Sequence, residues 1–163
     1  MAVAIIMGSG SDYDKVRPAI ETLDHFHIRT EVRVLSAHRT PQETVEFATK
    51  AKDGGFQVLI AAAGKAAHLP GVIASVTDLP VIGLPISTGL MGGLDSLLSM
   101  VQMPSGVPVM TVALDGAVNA ALSAVRILAL SDVELARKLT EYGSQMRDLV
   151  YQQDQAVQQK ANQ

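Results

Sequence analysis

Two histidines and one arginine are the side chains of this sequence best suited to proton transfer and anion binding. His38 and Arg39 stand together in the segment Ser36-Ala37-His38-Arg39-Thr40-Pro41, and His68 follows an alanine-rich stretch. A histidine transfers protons near neutral pH, and an arginine forms paired, charge-assisted hydrogen bonds with a phosphate. The segment therefore predicts an acid–base site beside an anion site, although a loop histidine that only bonds to backbone fits the same position.

A glycine- and serine-rich segment, Gly8-Ser9-Gly10-Ser11-Asp12, offers a further anion site. Its glycines let the backbone approach a ligand, and the free N–H groups at the start of the following helix favour a phosphate. A carboxylate beside a phosphate is unfavourable unless it serves the ligand, so Asp12 is expected to hydrogen-bond a ribose diol. The segment lacks the Walker pattern and the GxGxxG dinucleotide fingerprint, and a plain turn capped by Ser11 is the alternative.

Five short apolar runs alternate with segments of helical spacing, which predicts an α/β fold with a parallel sheet covered by helices on both faces. The runs are Ala2 to Met7, Ile28 to Leu35, Gln57 to Ala63, Pro80 to Ile86 and Pro108 to Leu114. In such a sheet the loops that follow the strands meet at one edge, where ligands bind. The segments above follow the first two runs, and segments 63–71 and 87–93 follow the third and fourth. One pocket is therefore expected to collect four loops.

Three helix starts are marked by a capping residue with an acidic residue in the first turn. The capping residues are Ser11, Thr40 and the pair Ser131-Asp132, and such side chains accept hydrogen bonds from free backbone N–H groups. Pro18 falls inside the first helix, where it is expected to remove one backbone hydrogen bond and bend the axis.

The last helix carries an apolar seam at alternating steps of four and three residues: Leu135, Leu139, Tyr142, Met146 and Leu149. A seam of this width fits either an arm on a neighbouring subunit or a helix lying on its own sheet. The glutamine-rich end after Tyr151 is expected to fray.

Composition excludes several classes of protein. The 163 residues contain no cysteine and are 48% hydrophobic and 18% charged, so we expect a single domain over 1–163, with an α/β core in 1–130 and a C-terminal helix in 131–163. A net charge of −3 offers no basic field for nucleic acid or a membrane surface. The sequence shows neither a signal peptide nor a run of about 18 apolar residues, so the expected location is the cytoplasm.

The middle of the chain is poor in charge. Between residues 54 and 126 the formally charged residues are Lys65, Asp78, Asp95, Asp115 and Arg126, although surface helices of a monomer need a polar face. Segments 93–103 and 117–130 are apolar on nearly every side, which predicts burial against other subunits in a homo-oligomer. A monomer with a largely apolar surface is the alternative.

Two other kinds of site are disfavoured. No third histidine, cysteine or carboxylate stands at ligand spacing near His38 or His68, so no metal is expected, and the GxSxG elbow of serine hydrolases is absent. His25 and His27 precede the second run at the opposite end of the sheet and are interpreted as structural. The residues predict a pocket for a phosphorylated, ribosyl small molecule, with a histidine for proton transfer.

Four ordered motifs, MGSGSD, SAHRTP, AGKAAHLPG and LDSLLSMVQMPSGVPV, closely resemble those of the N5-carboxyaminoimidazole ribonucleotide mutase family over Ala2 to about Leu130. The resemblance implies a three-layer, flavodoxin-like fold with a five-stranded sheet and a homo-octamer. It also implies an isomerase of de novo purine (IMP) biosynthesis that works without a cofactor, converting N5-carboxyaminoimidazole ribonucleotide to its C4-carboxylated isomer by decarboxylation and recarboxylation.

The resemblance also implies roles for individual residues. Ser9, Ser11, Asp12, Ser36, Ala37, His38 and Arg39 line the site, with Ser11, Ser36 and Arg39 on the phosphate and Asp12 on the ribose. Gly64, Ala66, His68 and Leu69 face the imidazole and carboxylate, and His38 is the acid and base. A dry, enclosed pocket is expected, because escaped CO2 would abort the transfer.

This sequence departs from the family at two places: Lys65 stands where the family usually has glycine, and segment 114–119 looks shorter than the corresponding family segment. Three other functions stay open. They are a related carboxylase that uses free CO2 and the uncarboxylated ribonucleotide, a non-catalytic ribonucleotide-binding module, and an assembly protein with a vestigial pocket.

Overall fold

The computed structural model describes residues 1–89 and 91–162, which form five strands and six α-helices. The strands are β1 Ala2–Met7, β2 Arg29–Val34, β3 Val58–Gly64, β4 Val81–Ile86 and β5 Met110–Thr111. The helices are α1 Tyr13–His25, α2 Pro41–Lys50, α3 Leu69–Ala74, α4 Leu94–Val101, α5 Ala117–Ala129 and α6 Val133–Ala161. Two short 3₁₀ turns, Gly10–Asp12 and Met91–Gly93, precede α1 and α4.

The strands form one parallel sheet in the order β2-β1-β3-β4-β5. The predicted α/β fold, with a parallel sheet covered by helices on both faces, is therefore confirmed. Every residue of β1 and β4 is buried, which explains why these strands appear in the sequence as continuous apolar runs. The fifth run is longer than its strand: only Met110 and Thr111 pair with β4, because Pro108 in the run and Pro85 in β4 have no N–H to donate.

Side chains alternate between two cores, one on each face of the sheet. Ile5, Ile60 and Leu84 pack on one face with α1, α5 and the start of α6. Ile6 and Leu59 pack on the other with α2, α3 and α4. Because the two cores hold all five loops at the carboxyl edge on rigid strands, the loops can place side chains with little freedom.

The helix starts differ in part from the prediction. Asp132 caps α6 as predicted, since its carboxylate accepts from the N–H of Leu135 at 2.8 Å. The prediction that Ser11 caps the first helix is wrong: Asp12 precedes α1 and makes no capping bond with its side chain, whereas Ser9 caps the 3₁₀ turn before it by accepting from the N–H of Ser11 at 3.3 Å. Thr40 precedes α2, but its hydroxyl bonds to Ser36 rather than to the helix.

Helix α1 contains Pro18 as its sixth residue and continues to His25. The proline removes the hydrogen bond that an N–H at this position would donate to the Asp14 carbonyl, but it does not end the helix; the hydroxyl of Thr22 donates to the carbonyl of Pro18 at 2.7 Å.

The seam of helix α6 is covered over its first half and exposed over its second, and contact of the second half with a neighbouring subunit stays a prediction. Leu135 is buried, and Leu139 and Tyr142 pack against the first core, whereas Met146 and Leu149 are 49% and 52% exposed. The helix thus lies on its own domain at its start and projects beyond it later. The structure continues as helix to Ala161, in line with the helix preference of its Gln, Ala and Lys residues, and fraying after Tyr151 stays a prediction.

The two apolar segments behave differently. Helix α5 buries one face on its own chain, with Ala121, Val125 and Leu128 among its buried residues, and leaves Val118 40% exposed; its contact with other subunits stays a prediction. Helix α4 leaves Leu98 and Val101 each 46% exposed. Among the described residues, no helix combines the length and apolar character needed to cross a membrane.

Candidate active site

A cavity of about 510 Å³ opens at the carboxyl edge of the sheet, between the loops that follow β1, β2, β3 and β4. Ten of the eleven predicted site residues line it: Ser9, Ser11, Asp12, Ser36, Ala37, His38, Arg39, Gly64, Ala66 and Leu69. Gly8, Ala63, Lys65 and Thr88 complete the lining. The eleventh predicted residue, His68, is not part of the lining and meets it through His38.

The loop after β1 presents two hydroxyls and one carboxylate. Ser9 Oγ and Ser11 Oγ lie 2.8 Å apart, and the hydroxyl of Ser11 donates to Asp12 Oδ1 at 3.4 Å. Burial raises the pKa of the Asp12 carboxyl above its usual value, against the opposing effects of the Ser11 hydrogen bond and the charge of Lys15. The loop can therefore offer hydroxyl donors to an anion and a carboxylate acceptor to a diol.

The loop after β2 is folded tightly on Ser36. The N–H of Thr40 donates to the Ser36 carbonyl at 2.8 Å, and the N–H of Arg39 donates to the Ser36 hydroxyl at 3.2 Å. The guanidinium of Arg39 then crosses to the first loop and donates from Nη2 to the carbonyl of Gly8 at 2.8 Å. Nε of the same guanidinium donates to the Ser36 hydroxyl at 3.4 Å, so Nη2 and Nε hold the loops together and the N–H groups on Nη1 are directed to an anion.

The two histidines form a direct hydrogen bond. His38 Nε2 lies 2.9 Å from His68 Nδ1, and the rings are nearly perpendicular at 86°. One of the two nitrogens must carry the hydrogen and the other must accept it, so the tautomer of one ring sets that of the other. The pair can thus hold a proton at the cavity and exchange it with a ligand.

The loop after β3 brings backbone close to the cavity. A Cβ on Gly64 would lie 2.8 Å from Thr88 Cγ2 and 3.2 Å from the carbonyl oxygen of Ile86, so only glycine fits without movement. Lys65 follows with φ +56°, a left-handed conformation that glycine adopts more readily. This conformation explains why a glycine would suit the position.

Sequence reasoning missed a polar cluster beside the cavity, formed by Lys15, Ser87 and Asp115. The ammonium of Lys15 donates to the carbonyl and hydroxyl of Ser87 at 2.6 and 2.5 Å and forms an ion pair with Asp115 at 3.2 Å. Burial alone would raise the pKa of Asp115, but hydrogen bonds from Ser87 and Lys15 and the charge of Lys15 lower it below its usual value. The three positions are far apart in the sequence, and only the Asp115-Gly116 pair carried a turn signal.

The remaining sequence predictions concern groups outside the cavity. The ring of His25 packs against Phe26 and Tyr142, away from the cavity. Within 1–89 and 91–162, no group of three or more His, Asp or Glu side chains is arranged to hold a metal ion. His38 and His68 are both exposed in the single chain, so the enclosed pocket that was expected is not formed by one chain alone.

Comparisons with known proteins agree with this architecture. Residues 2–149 match the family model described as AIR carboxylase. The chain is 55% identical over 146 residues to N5-carboxyaminoimidazole ribonucleotide mutase of Saccharolobus solfataricus, which covers 90% of this chain and 92% of that protein. It is 50% identical over 157 residues to the mutase of Thermotoga maritima, covering 96% of this chain and 92% of that protein.

A solved structure supports the same assignment. The crystal structure of Treponema denticola PurE superposes with a TM-score of 0.86 at 28% sequence identity, over 94% of this chain and 96% of that one. The family model spans most of the chain, and the mutases cited are at least 50% identical to it. This chain belongs to the AIR carboxylase family.

Proposed function

We propose that this protein is a mutase that converts N5-carboxyaminoimidazole ribonucleotide to 4-carboxy-5-aminoimidazole ribonucleotide in de novo purine biosynthesis. The observation that carries the proposal is the meeting of His38, Arg39 and Asp12 in one cavity, with His68 hydrogen-bonded to His38 from outside the lining. Relatives at 50–55% identity bear the name of this enzyme. A proton-transferring pair and an anion site within one small cavity suit a phosphorylated substrate whose reaction needs only proton movement.

The substrate would be held by its phosphate and ribose. Ser11, Ser36 and the free side of the Arg39 guanidinium would bind the phosphate, because they supply hydroxyl and charged donors from adjacent loops. Asp12 would accept hydrogen bonds from the ribose hydroxyls. The imidazole ring would then lie toward Ala66 and Leu69, where the lining is apolar, with Gly64 and Ala37 allowing close approach.

The reaction would move one carboxyl group and one proton. The bond between N5 and the carboxylate breaks, CO2 leaves, and the protonated His38 gives its proton to the exocyclic nitrogen. The electron-rich ring then attacks CO2 through C4, forming the new carbon–carbon bond. His38, now neutral, removes the C4 proton and restores the aromatic ring, so the enzyme ends in its starting state.

The hydrogen bond between the histidines supports this cycle. His68 Nδ1 lies 2.9 Å from His38 Nε2, so substrate binding would replace that contact with one to the reacting nitrogen. His68 would keep the ring of His38 in one orientation until the substrate binds, and would then face the migrating carboxylate. No metal or redox cofactor is required by these steps.

Enclosure of CO2 would come from neighbouring subunits in a homo-oligomer, which we propose to be an octamer in the cytoplasm. The cavity is open in the single chain, with both histidines exposed. Helix α4 exposes Leu94, Leu98 and Val101 on one surface, and the far half of α6 projects from its own domain. These apolar surfaces fit contacts with further copies of the chain.

The test is an assay of purified protein with the N5-carboxylated ribonucleotide and, separately, with the uncarboxylated ribonucleotide plus bicarbonate. We expect faster turnover of the first. Replacement of His38 by Asn should lower kcat by on the order of 100-fold or more, as loss of an acid–base group does, while substrate binding is kept. His27→Asn is the matched control, because His27 lies outside the cavity lining at φ +57°, a conformation that Asn tolerates.

The other functions predict different results. The family model is described as AIR carboxylase, and faster carboxylation from bicarbonate would identify that activity instead. An unchanged rate in His38→Asn would refute the role of His38. Tight ribonucleotide binding without turnover would indicate a binding module, and no ligand-induced rise in Tm would indicate an assembly protein.

A further inference from the structure

The Lys15, Ser87 and Asp115 cluster joins three elements that meet beside the cavity. Lys15 lies in the first turn of α1, Ser87 directly follows β4, and Asp115 lies between β5 and α5. Besides the bonds from Lys15, the N–H of Ser87 donates to Asp115 Oδ1 at 2.9 Å, and the hydroxyl of Ser87 donates to Asp115 Oδ2. Ser87 is thus held by a cation and an anion at once.

The cluster is packed from a second side and is only partly open to water. Gly93, which has φ +94°, packs against the loop after β4: a Cβ there would lie 2.7 Å from Ser87 Cα, so the close approach requires glycine. The side chains of Lys15 and Asp115 are 38% and 37% exposed. The N–H of Asp115 also donates to the carbonyl of Pro85 at 2.9 Å, which anchors the anion to β4.

None of the three residues lines the cavity, but each neighbours one that does. Asp12 precedes Lys15 by one helical turn, and Thr88 directly follows Ser87. The methyl group of Thr88 is packed over Gly64. A shift of Ser87 would therefore move Thr88 against Gly64, and a shift of the first turn of α1 would move Asp12.

We propose that Lys15 is a positioning residue of the substrate site: its ammonium, bonded to Ser87 and Asp115, sets the distance between Asp12 and the wall formed by Thr88 and Gly64. The role rests on the proposed function, since Asp12 is there the ribose acceptor. An ordinary surface ion pair would not have this effect, because it joins two side chains that are free to move. Here the cation also bonds to a backbone carbonyl, so it holds the main chain.

The test compares Lys15→Met with Lys15→Arg and with the control Lys50→Met. Lys50 forms an ion pair with Glu46 at 2.6 Å on the surface of α2, so its loss breaks a lysine pair without touching the cavity. We expect Lys15→Met to raise KM for the N5-carboxylated ribonucleotide by about tenfold with kcat within about twofold, because binding geometry changes and His38 does not. Lys15→Arg should recover most of the affinity, and Lys50→Met should leave both parameters unchanged.

A double-mutant cycle shows whether the cluster acts as one unit. Asp115→Asn keeps the Lys15–Ser87 bonds and should raise KM less than Lys15→Met does, and the double variant should be no worse than Lys15→Met alone. An unchanged KM in Lys15→Met, or an equal loss in kcat and kcat/KM, would overturn the proposal, as would fully additive effects. If Lys15→Met does not fold, Asp115→Asn serves as the test, and it should also raise KM, by less than tenfold.

Failure of the proposed function would look different. If wild-type protein does not interconvert the carboxylated ribonucleotides, the positioning role is measured instead by calorimetry with ribose 5-phosphate. Weaker binding to Lys15→Met than to wild type and Lys50→Met would support the role of Lys15 without the mutase activity. Equal binding to all three proteins would overturn it.

Discussion

Replacement of Gly64 by Ala tests whether close packing behind the cavity sets its shape. The new Cβ would lie 2.8 Å from Thr88 Cγ2, so that methyl group must retreat by roughly 0.7 Å or more to reach the ordinary separation of carbon atoms. Overpacking of this kind costs about 1–3 kcal/mol. The lower entropy of the unfolded Ala chain offsets about 0.4–1 kcal/mol of that cost.

The net effect expected for Gly64→Ala is a loss of about 1–2 kcal/mol, or a fall in Tm of roughly 2–8 °C for a chain of this size. Since Thr88 lines the cavity, kcat/KM should fall as well. Thr88→Ser removes the opposing methyl group, so the double variant should recover part of both losses. Recovery is partial because the contact of 3.2 Å with the Ile86 carbonyl remains.

Thermal unfolding and steady-state kinetics of the two single variants and the double variant provide the measurement. Gly143→Ala is the control: no atom lies within 4 Å of a Cβ built there, and Ala in the middle of α6 should stabilise by about 0.5–1 kcal/mol. Additive effects of Gly64→Ala and Thr88→Ser would refute the reasoning, since the two groups would then not be in contact.

Three further predictions concern other parts of the chain. Lys65→Gly should raise Tm, because a lysine in the left-handed conformation at φ +56° carries backbone strain of about 1 kcal/mol that glycine does not have. Lys65→Ala should not raise Tm, and an equal change in Tm for the two variants would contradict this reasoning. The pKa of the Asp115 carboxyl is lowered in the folded protein, so its ionised form stabilises the fold at pH values above the ordinary pKa of an aspartate. That stabilisation is lost as the pH falls through the pKa of the folded protein. The free energies of unfolding of wild type and Asp115→Asn, measured with urea, should therefore differ more at pH 7 than at pH 3. Leu98→Asp should reduce the native mass of the assembly, and an unchanged mass would exclude α4 from the interface.

Much of this fold and site could be predicted because the signals are local. The β1 prediction matches the strand to the residue, and the loops after the first four strands were predicted to meet. Buried parallel strands are continuous apolar runs, and topology brings their carboxyl ends to one edge. Reactive side chains in these loops, such as those of His38 and Arg39, can therefore be expected to lie in one pocket.

Several features depended on packing between distant segments. Ser9 and Ser11 have the same side chain, and only the backbone conformation makes Ser9 the cap of the 3₁₀ turn. Helices α4 and α5 have similarly apolar sequences, yet α5 buries six of its residues in its own chain, whereas α4 buries only Ser96 and Met100. The burial of a helix depends on which other elements pack against it, and the sequence of the helix alone does not show this.

The sequence by itself determined the order of strands and helices, the parallel sheet, and ten of the residues that line the cavity. The tertiary structure decided the hydrogen bond between His38 and His68 and the cluster of Lys15, Ser87 and Asp115. Periodicity and capping act between neighbours along the chain, whereas Lys15 and Ser87 are 72 residues apart. Their contact exists only because the two cores fix how α1 and β4 lie against one another.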